Sequence, residues 1–211
     1  MSAQLRMLLA DYGVPPESTG GRGFLTHLEL LSRWQPRVNL VGSLSWSNLG
    51  PLYEEALWAA RLYPPSPTLH LDAGSGAGFP ALLLRLLLPR MNLDLVESRT
   101  RRAAFLEHVS GVLGLSQVRV HNRRLDELLR ARPLQARPWD CVSWKAVRLS
   151  RTDMTLVLDA SAAEARFWMF HGARLPLERA EEAEERLDLV LEQPHPSKSG
   201  WRLSIFQKRP S

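Results

Sequence analysis

Leu69-His70-Leu71-Asp72-Ala73-Gly74-Ser75-Gly76-Ala77-Gly78-Phe79-Pro80 reads as a buried strand, a glycine turn and the approach to a helix. Asp72 stands at the strand end. Gly74, Gly76 and Gly78 follow at every second position. They lack the Cβ atoms that would block a ligand, and they admit left-handed backbone angles. Leu82 to Leu88 then reads as an apolar helix whose N-terminus faces the same turn. A strand, a glycine turn and a helix N-terminus form a cradle for a nucleotide-type cofactor. The spacing is Asp-x-Gly-x-Gly-x-Gly and not Gly-x-Gly-x-x-Gly. It points to S-adenosyl-L-methionine (AdoMet) rather than to a dinucleotide. A nicotinamide-linked oxidoreductase on the same sheet is a rival reading, and the missing spacing counts against it.

Outward from the turn the pattern alternates. Strands are expected at 68–72, 92–97, 117–121 and 139–144, with helices near 79–88, 99–113 and 124–131. A further strand near 166–171 and a final pair near 187–192 and 201–207 complete the pattern, with Pro194 to Gly200 as the loop between the last two. Strands alternating with helices imply right-handed crossovers and a parallel sheet covered on both faces. A closing antiparallel hairpin matches the α/β, Rossmann-like fold of AdoMet-dependent methyltransferases.

Residues 1–66 read as an N-terminal helical extension packed on the same domain, and 67–211 as the AdoMet-binding domain. In the extension a short helix carries Leu5, Leu8 and Leu9 and stops at Gly13 and Pro15-Pro16. A second follows Gly23, with Phe24, Leu28, Leu31 and Trp34 on one face. Asn39 to Gly42 is a turn, and 52–63 is a third helix. Pro64-Pro65-Ser66-Pro67 is a stiff link into the glycine strand.

Composition sets limits. The chain has 211 residues, of which 45% are hydrophobic, enough to build a core and to argue against wholesale disorder. A single cysteine, Cys141, rules out an intrachain disulfide. The six histidines show no metal-ligand spacing, so no metal is expected. Met1 to Asp11 has no signal-peptide pattern. The most apolar run, Ala81 to Leu88, is too short to span a bilayer. A cytoplasmic, monomeric protein without a membrane partner is expected. The net charge of +5 is modest, but its distribution is not even. Arg99 to Arg137 holds nine arginines and three acids, whereas Glu178 to Glu192 holds seven acids and two arginines. The basic half could meet phosphate or could simply be a solvated surface.

Several side chains could carry chemistry. Glu97 ends the second strand, where an acid can accept both ribose hydroxyls of an adenosine cofactor or stand in solvent. Leu125 and Asp126 follow the third strand, where the chain passes an adenine ring. The plain alternative is a core leucine and a capping aspartate. Lys145 leaves the fourth strand toward the substrate crevice, facing a cofactor carboxylate, an RNA phosphate or water. Arg101 and Arg102 open the helix after Glu97 and are candidates to position RNA. Cys141 lies inside a strand and reads as core.

Four segments in this order resemble the bacterial small-subunit ribosomal RNA guanine-N7 methyltransferases, the RsmG or GidB family. They are Asn39-Leu40-Val41, Leu71 through Pro80, Glu97 through Leu106, and Arg124-Leu125-Asp126-Glu127. The resemblance spans roughly residues 25–175. It implies AdoMet contacts at Gly74 and Phe79 by the turn and at Leu125 and Asp126 by adenine, which join Asp72, Gly76, Gly78, Glu97 and Lys145 as the cofactor-binding candidates, and it implies 16S rRNA within the 30S subunit as partner. The chain departs from the family pattern at three places. Lys145 stands for the arginine of a Ser-Arg-Ala segment, Glu54-Glu55 for an Arg-His pair and His171-Gly172 for a Lys-Gly. All three fall on basic positions expected to face substrate. The implied activity is methyl transfer to N7 of a guanine. A non-catalytic assembly factor that keeps the fold, and a methyltransferase with another RNA target, are the alternatives.

Overall fold

The computed structural model describes residues 1–64, 68–133, 135–172 and 186–209. Three helices come first: α1 (Ser2–Asp11), α2 (Thr19–Val38) and α3 (Trp46–Ala60). There follow β1 (Leu69–Ala73), α4 (Ala81–Leu87), β2 (Asn92–Val96), α5 (Thr100–Val112), β3 (Val118–His121) and α6 (Leu125–Arg130). The chain then forms β4 (Trp139–Lys145), α7 (Arg151–Asp159), β5 (Ser161–His171), β6 (Leu187–Pro194) and β7 (Arg202–Lys208).

Among the described residues seven strands make one sheet in the order β3-β2-β1-β4-β5-β7-β6. β1 to β5 pair in parallel, and β7 runs antiparallel to both β5 and β6. The strand order reverses between β1 and β4. In an open α/β sheet, ligands bind outside the carboxyl ends of the strands at such a reversal. β1 is buried along its whole length, as a central parallel strand covered on both faces must be. On one face α1, α2 and α3 bring Leu5, Phe24, Leu31 and Tyr53 against Leu82, Leu83 and Phe105. On the other, Val157, Leu158 and Met154 of α7 meet Leu71, Trp144 and Phe167. Cys141 is core, and burial pushes its thiol up to about 12, so it is no nucleophile at neutral pH.

Three element boundaries differ from expectation and one helix is additional. α2 begins at Thr19, before Gly23, because the Ser18 hydroxyl caps it by accepting from the Gly21 amide at 3.0 Å. Glycine is needed inside this helix. A Cβ at Gly21 would overlap Pro15 and Pro16, and one at Gly23 would meet the Leu86 side chain at 2.8 Å. α3 begins at Trp46, ahead of Pro51, which sits within the helix. β5 begins at Ser161, and its pairing with β4 shifts between Trp139 and Cys141. That irregularity breaks the alternation by which its first half would be recognised. α7 had no counterpart in the sequence reading, yet its signal is present. Ser150 accepts from the Asp153 amide at 3.1 Å and Asp153 accepts from the Ser150 amide at 3.0 Å, a capping box. Most of the Pro64–Pro67 link and the first part of the acidic run lie outside the described residues.

The helical extension reaches the glycine turn through His27, a residue that periodicity did not mark. His27 is fully buried on α2. Its Nε2 donates to the Ala77 carbonyl at 2.9 Å, so its Nδ1 accepts from the Tyr53 hydroxyl, also at 2.9 Å. One neutral imidazole thereby ties α2, α3 and the turn together. Phe79 packs edge-on to the same two rings, 5.1 Å from each.

Candidate active site

The glycine turn hangs from the end of β2. The Gly74 and Ser75 amides both donate to the Val96 carbonyl, at 2.8 and 3.0 Å. Gly74, Gly76 and Gly78 all have positive φ, at 74°, 55° and 85°. Their surroundings separate their roles. A Cβ at Gly74 would overlap the Val147 side chain, and one at Gly78 would press on Leu82 Cβ at 2.9 Å. A Cβ at Gly76 would meet nothing closer than 3.9 Å. Only Gly76 therefore offers the open backbone approach expected of all three. Gly78 serves the packing of turn on helix, and Phe79 turns its ring into the core rather than toward a ligand.

Ala73, Gly74, Val96, Ser98, Leu125, Asp126 and Val147 line one crevice at the carboxyl ends of the strands, with Arg123, Arg124, Arg148, Leu149 and Asp153 around it. Gly74, Leu125 and Asp126 are thus brought together as expected. Asp126 does not cap α6. Glu127 does so, by accepting from the Arg124 amide at 3.2 Å, while Asp126 pairs with the Arg124 guanidinium at 3.3 Å. The crevice measures about 170 Å³. Ligand pockets begin at roughly 300 Å³. Val147 lies against Gly74 and narrows the crevice, and the preceding Ala146 holds a left-handed φ of 55°. An L-residue there is strained by about 1–2 kcal/mol.

Glu97 is buried beside the turn and, like Gly76, lies next to the crevice rather than among the residues that line it. Its Oε2 accepts from the Gly76 amide at 3.0 Å and its Oε1 from the Arg99 amide at 2.8 Å. Each carboxylate oxygen keeps a lone pair that a hydroxyl can use. Arg102 reaches across to the Asn39 carbonyl at 3.0 Å and stands over Gly76. Its neighbour Arg101 points elsewhere, into a groove against α2.

Asp72 lies buried beneath the turn at 3% exposure. It accepts from the Ser143 hydroxyl at 2.5 Å. His70 Nε2 then donates to Ser143 at 2.8 Å, and the Tyr63 hydroxyl donates to His70 Nδ1 at 2.8 Å. Burial pushes the Asp72 carboxyl up to about 6, against the pull of Ser143, Ser75 and Lys145. Burial also lowers His70 to about 3 and His27 to about 4. These shifts set a pH dependence. Between about pH 4 and 6 the unfolded chain binds two protons on the histidines and none on Asp72. The folded chain then binds none on the histidines and one on Asp72. The unfolded state therefore holds one proton more, and stability falls as the pH falls. The expected slope is about 1.4 kcal/mol per pH unit, measured as unfolding free energy in urea from pH 6 to 4. A flat profile would contradict the neutral buried imidazoles.

Lys145 does not line the crevice. Its ammonium bonds to Glu55 on α3, a buried ion pair with side chains 13% and 3% exposed. Glu54 accepts from Tyr12 Oη at 3.2 Å and from Ser197 in the β6–β7 loop. His171 contacts Ser204 Oγ at 2.8 Å and the Gly172 carbonyl at 2.6 Å. The three departures expected to face substrate are therefore spent on contacts within the protein. Among the described residues no cluster of His, Cys, Asp or Glu could hold a metal ion, and no helix is long and apolar enough to cross a membrane.

A doubly wound sheet with a closing antiparallel strand and a crevice at its reversal point defines a Rossmann-like methyltransferase. Solved structures agree on the fold. TrmN from Thermus thermophilus aligns with a TM-score of 0.59 at 21% identity, over 84% of this chain and 53% of that one. The putative methyltransferase yhhF from Escherichia coli aligns at 0.57 and 21%, over 75% and 87%. The family model for rRNA small subunit methyltransferase G (GidB) matches residues 22–196, and the chain belongs to that family. The ribosomal RNA small subunit methyltransferase G of Wolinella succinogenes is 29% identical over 85% of this chain and 90% of that relative. That of Roseiflexus castenholzii is 31% identical over 68% and 62%.

Proposed function

We propose that this chain transfers a methyl group from AdoMet to N7 of a guanine in 16S rRNA of the 30S subunit, in the cytoplasm. The observation that carries the reading is the convergence of Gly74, Leu125 and Asp126 on the crevice where the strand order reverses. The donor set fits the cofactor. Leu125 gives an apolar face for adenine, Asp126 an acceptor for its amino group, and Glu97 acceptors for the ribose. Gly76, its amide bonded to Glu97, carries no Cβ that would stand in the way of the amino-acid tail. AdoMet, when bound, supplies an activated methyl on a sulfonium, which leaves its bonding pair on sulfur.

Guanine N7 carries a free lone pair at neutral pH, so the protein needs no strong general base. The crevice fits that requirement. Asp72 is buried beneath the turn and Glu97 is bonded to two amides, so neither is placed to take a proton from a base. What the chain contributes is orientation and exclusion of water. Arg102, above Gly76 and bonded to Asn39, would hold an RNA phosphate at the mouth of the turn. Such a contact positions the RNA and carries little sequence information. The selectivity would lie in RNA shape and an unstacked guanine. The test is tritium transfer from labelled AdoMet to 30S subunits lacking the modification. Label in 7-methylguanosine after digestion is expected. AdoMet binding without transfer would leave the non-catalytic reading in place.

A further inference from the structure

α2 and α5 enclose a groove of about 630 Å³ outside the crevice, lined by Arg33, Trp34, Arg37, Val38, Arg101 and Ala104. Its chemistry is distinctive. Arg33 pairs with Glu29 on the same helix, whereas Arg37 and Arg101 have no ion-pair or hydrogen-bond partner among the described residues. Trp34 is half-buried. Phe105 at 5.7 Å and His108 at 5.5 Å hold its indole in place. A fixed aromatic surface flanked by unpaired guanidiniums is the combination that single-stranded nucleic acid uses. Bases stack on the ring and phosphates meet the arginines. An acidic peptide would use the charges but leave the indole surface without a counterpart.

The groove also leads somewhere. Val38 adjoins Asn39, and Arg101 adjoins Arg102, and those two neighbours are bonded to each other beside Gly76. A strand lying in the groove would thus pass directly to the mouth of the glycine turn. We propose that the α2–α5 groove binds the single-stranded RNA flanking the target nucleotide, with Arg37 and Arg101 on phosphates and Trp34 under a base. This rests on the RNA reading of the crevice given above.

The test compares the wild type, the double variant Arg37→Ala/Arg101→Ala, and Trp34→Leu. The probes are a fluorescein-labelled, unstructured single-stranded RNA and 30S subunits, with AdoMet affinity measured separately by calorimetry. The double variant should bind the labelled RNA about tenfold more weakly at 0.1 M salt, and its log–log salt slope should be shallower by about 1.4, or 0.7 for each lost phosphate contact. Trp34→Leu should lose about tenfold at every salt concentration with the slope unchanged, because stacking releases no counterions. AdoMet affinity should match the wild type in both variants. Should Trp34→Leu fail to fold, the arginine pair still decides. Wild-type RNA affinity and slope in the double variant, with 30S methylation intact, would overturn the groove and leave the RNA reading standing. A variant that binds labelled RNA normally but loses 30S subunits would also overturn it, and assign the groove to a ribosomal protein. A wild-type chain that binds AdoMet but neither RNA nor 30S subunits would sink the RNA reading itself.

Discussion

Gly74→Val is expected to abolish AdoMet binding, with a loss of at least about 100-fold, or some 2.7 kcal/mol. Two effects add. Gly74 holds a φ of 74°, where a β-branched residue is strained. Its new Cβ would overlap the Val147 side chain. Direct occupation of the cofactor's space by the new side chain is one route to the loss. The structure adds an intermediary: Val147 lies against Gly74, and a side chain on Gly74 would displace it or be displaced. That distinction can be measured. In calorimetric titrations, Gly74→Ala should bind weakly, and Gly74→Ala/Val147→Ala should recover most of the deficit, apart from the backbone strain. A double variant as weak as the single would return the cause to cofactor space. Wild-type affinity in Gly74→Val would mean that the crevice is elsewhere.

The sheet was legible because its signals are local. The Asp-x-Gly-x-Gly-x-Gly turn and the alternation of apolar runs with helical stretches both survive in one dimension, and β1 through β4 lie where they were expected. The signal for α7 is equally local, in Ser150 and Asp153, but it is a capping signal that apolar periodicity does not carry. The convergence of Leu125 and Asp126 with Gly74 also followed from topology, since all three stand at strand ends of one edge. What sequence could not reveal is pairing across long separations. His27 on α2 bonds to Ala77 in the turn, fifty residues on. Lys145 meets Glu55, ninety residues away. Neither partner carries a periodic mark, and each histidine or lysine alone reads as a satisfied core group or a solvated one. The glycines show the same limit: spacing announces that Cβ atoms must be absent, but only packing says whether Leu82, Val147 or a ligand forbids them.

Glu55→Ala should destabilise the fold by about 3 kcal/mol, because it strands the Lys145 ammonium in a largely desolvated place. Lys145 then faces Lys198, which already lies against it across the Trp201 ring, and the two cations would repel. Removing both partners is a different experiment. In Glu55→Leu/Lys145→Met no buried charge is left unpaired, and apolar replacements of similar volume commonly match a buried pair in stability. Urea denaturation should therefore place the double variant within about 1 kcal/mol of wild type, far above the single. This double variant also decides what Lys145 is for. A lysine reserved for a cofactor carboxylate would keep its ammonium free of a protein carboxylate, and this one bonds to Glu55 on α3 instead. AdoMet affinity in the double variant should accordingly stay within about threefold of wild type, a change of some 0.7 kcal/mol. A tenfold loss in a variant that is otherwise as stable as the parent would restore Lys145 to the cofactor. Glu55 would then be the residue that holds the ammonium ready rather than the one that consumes its charge.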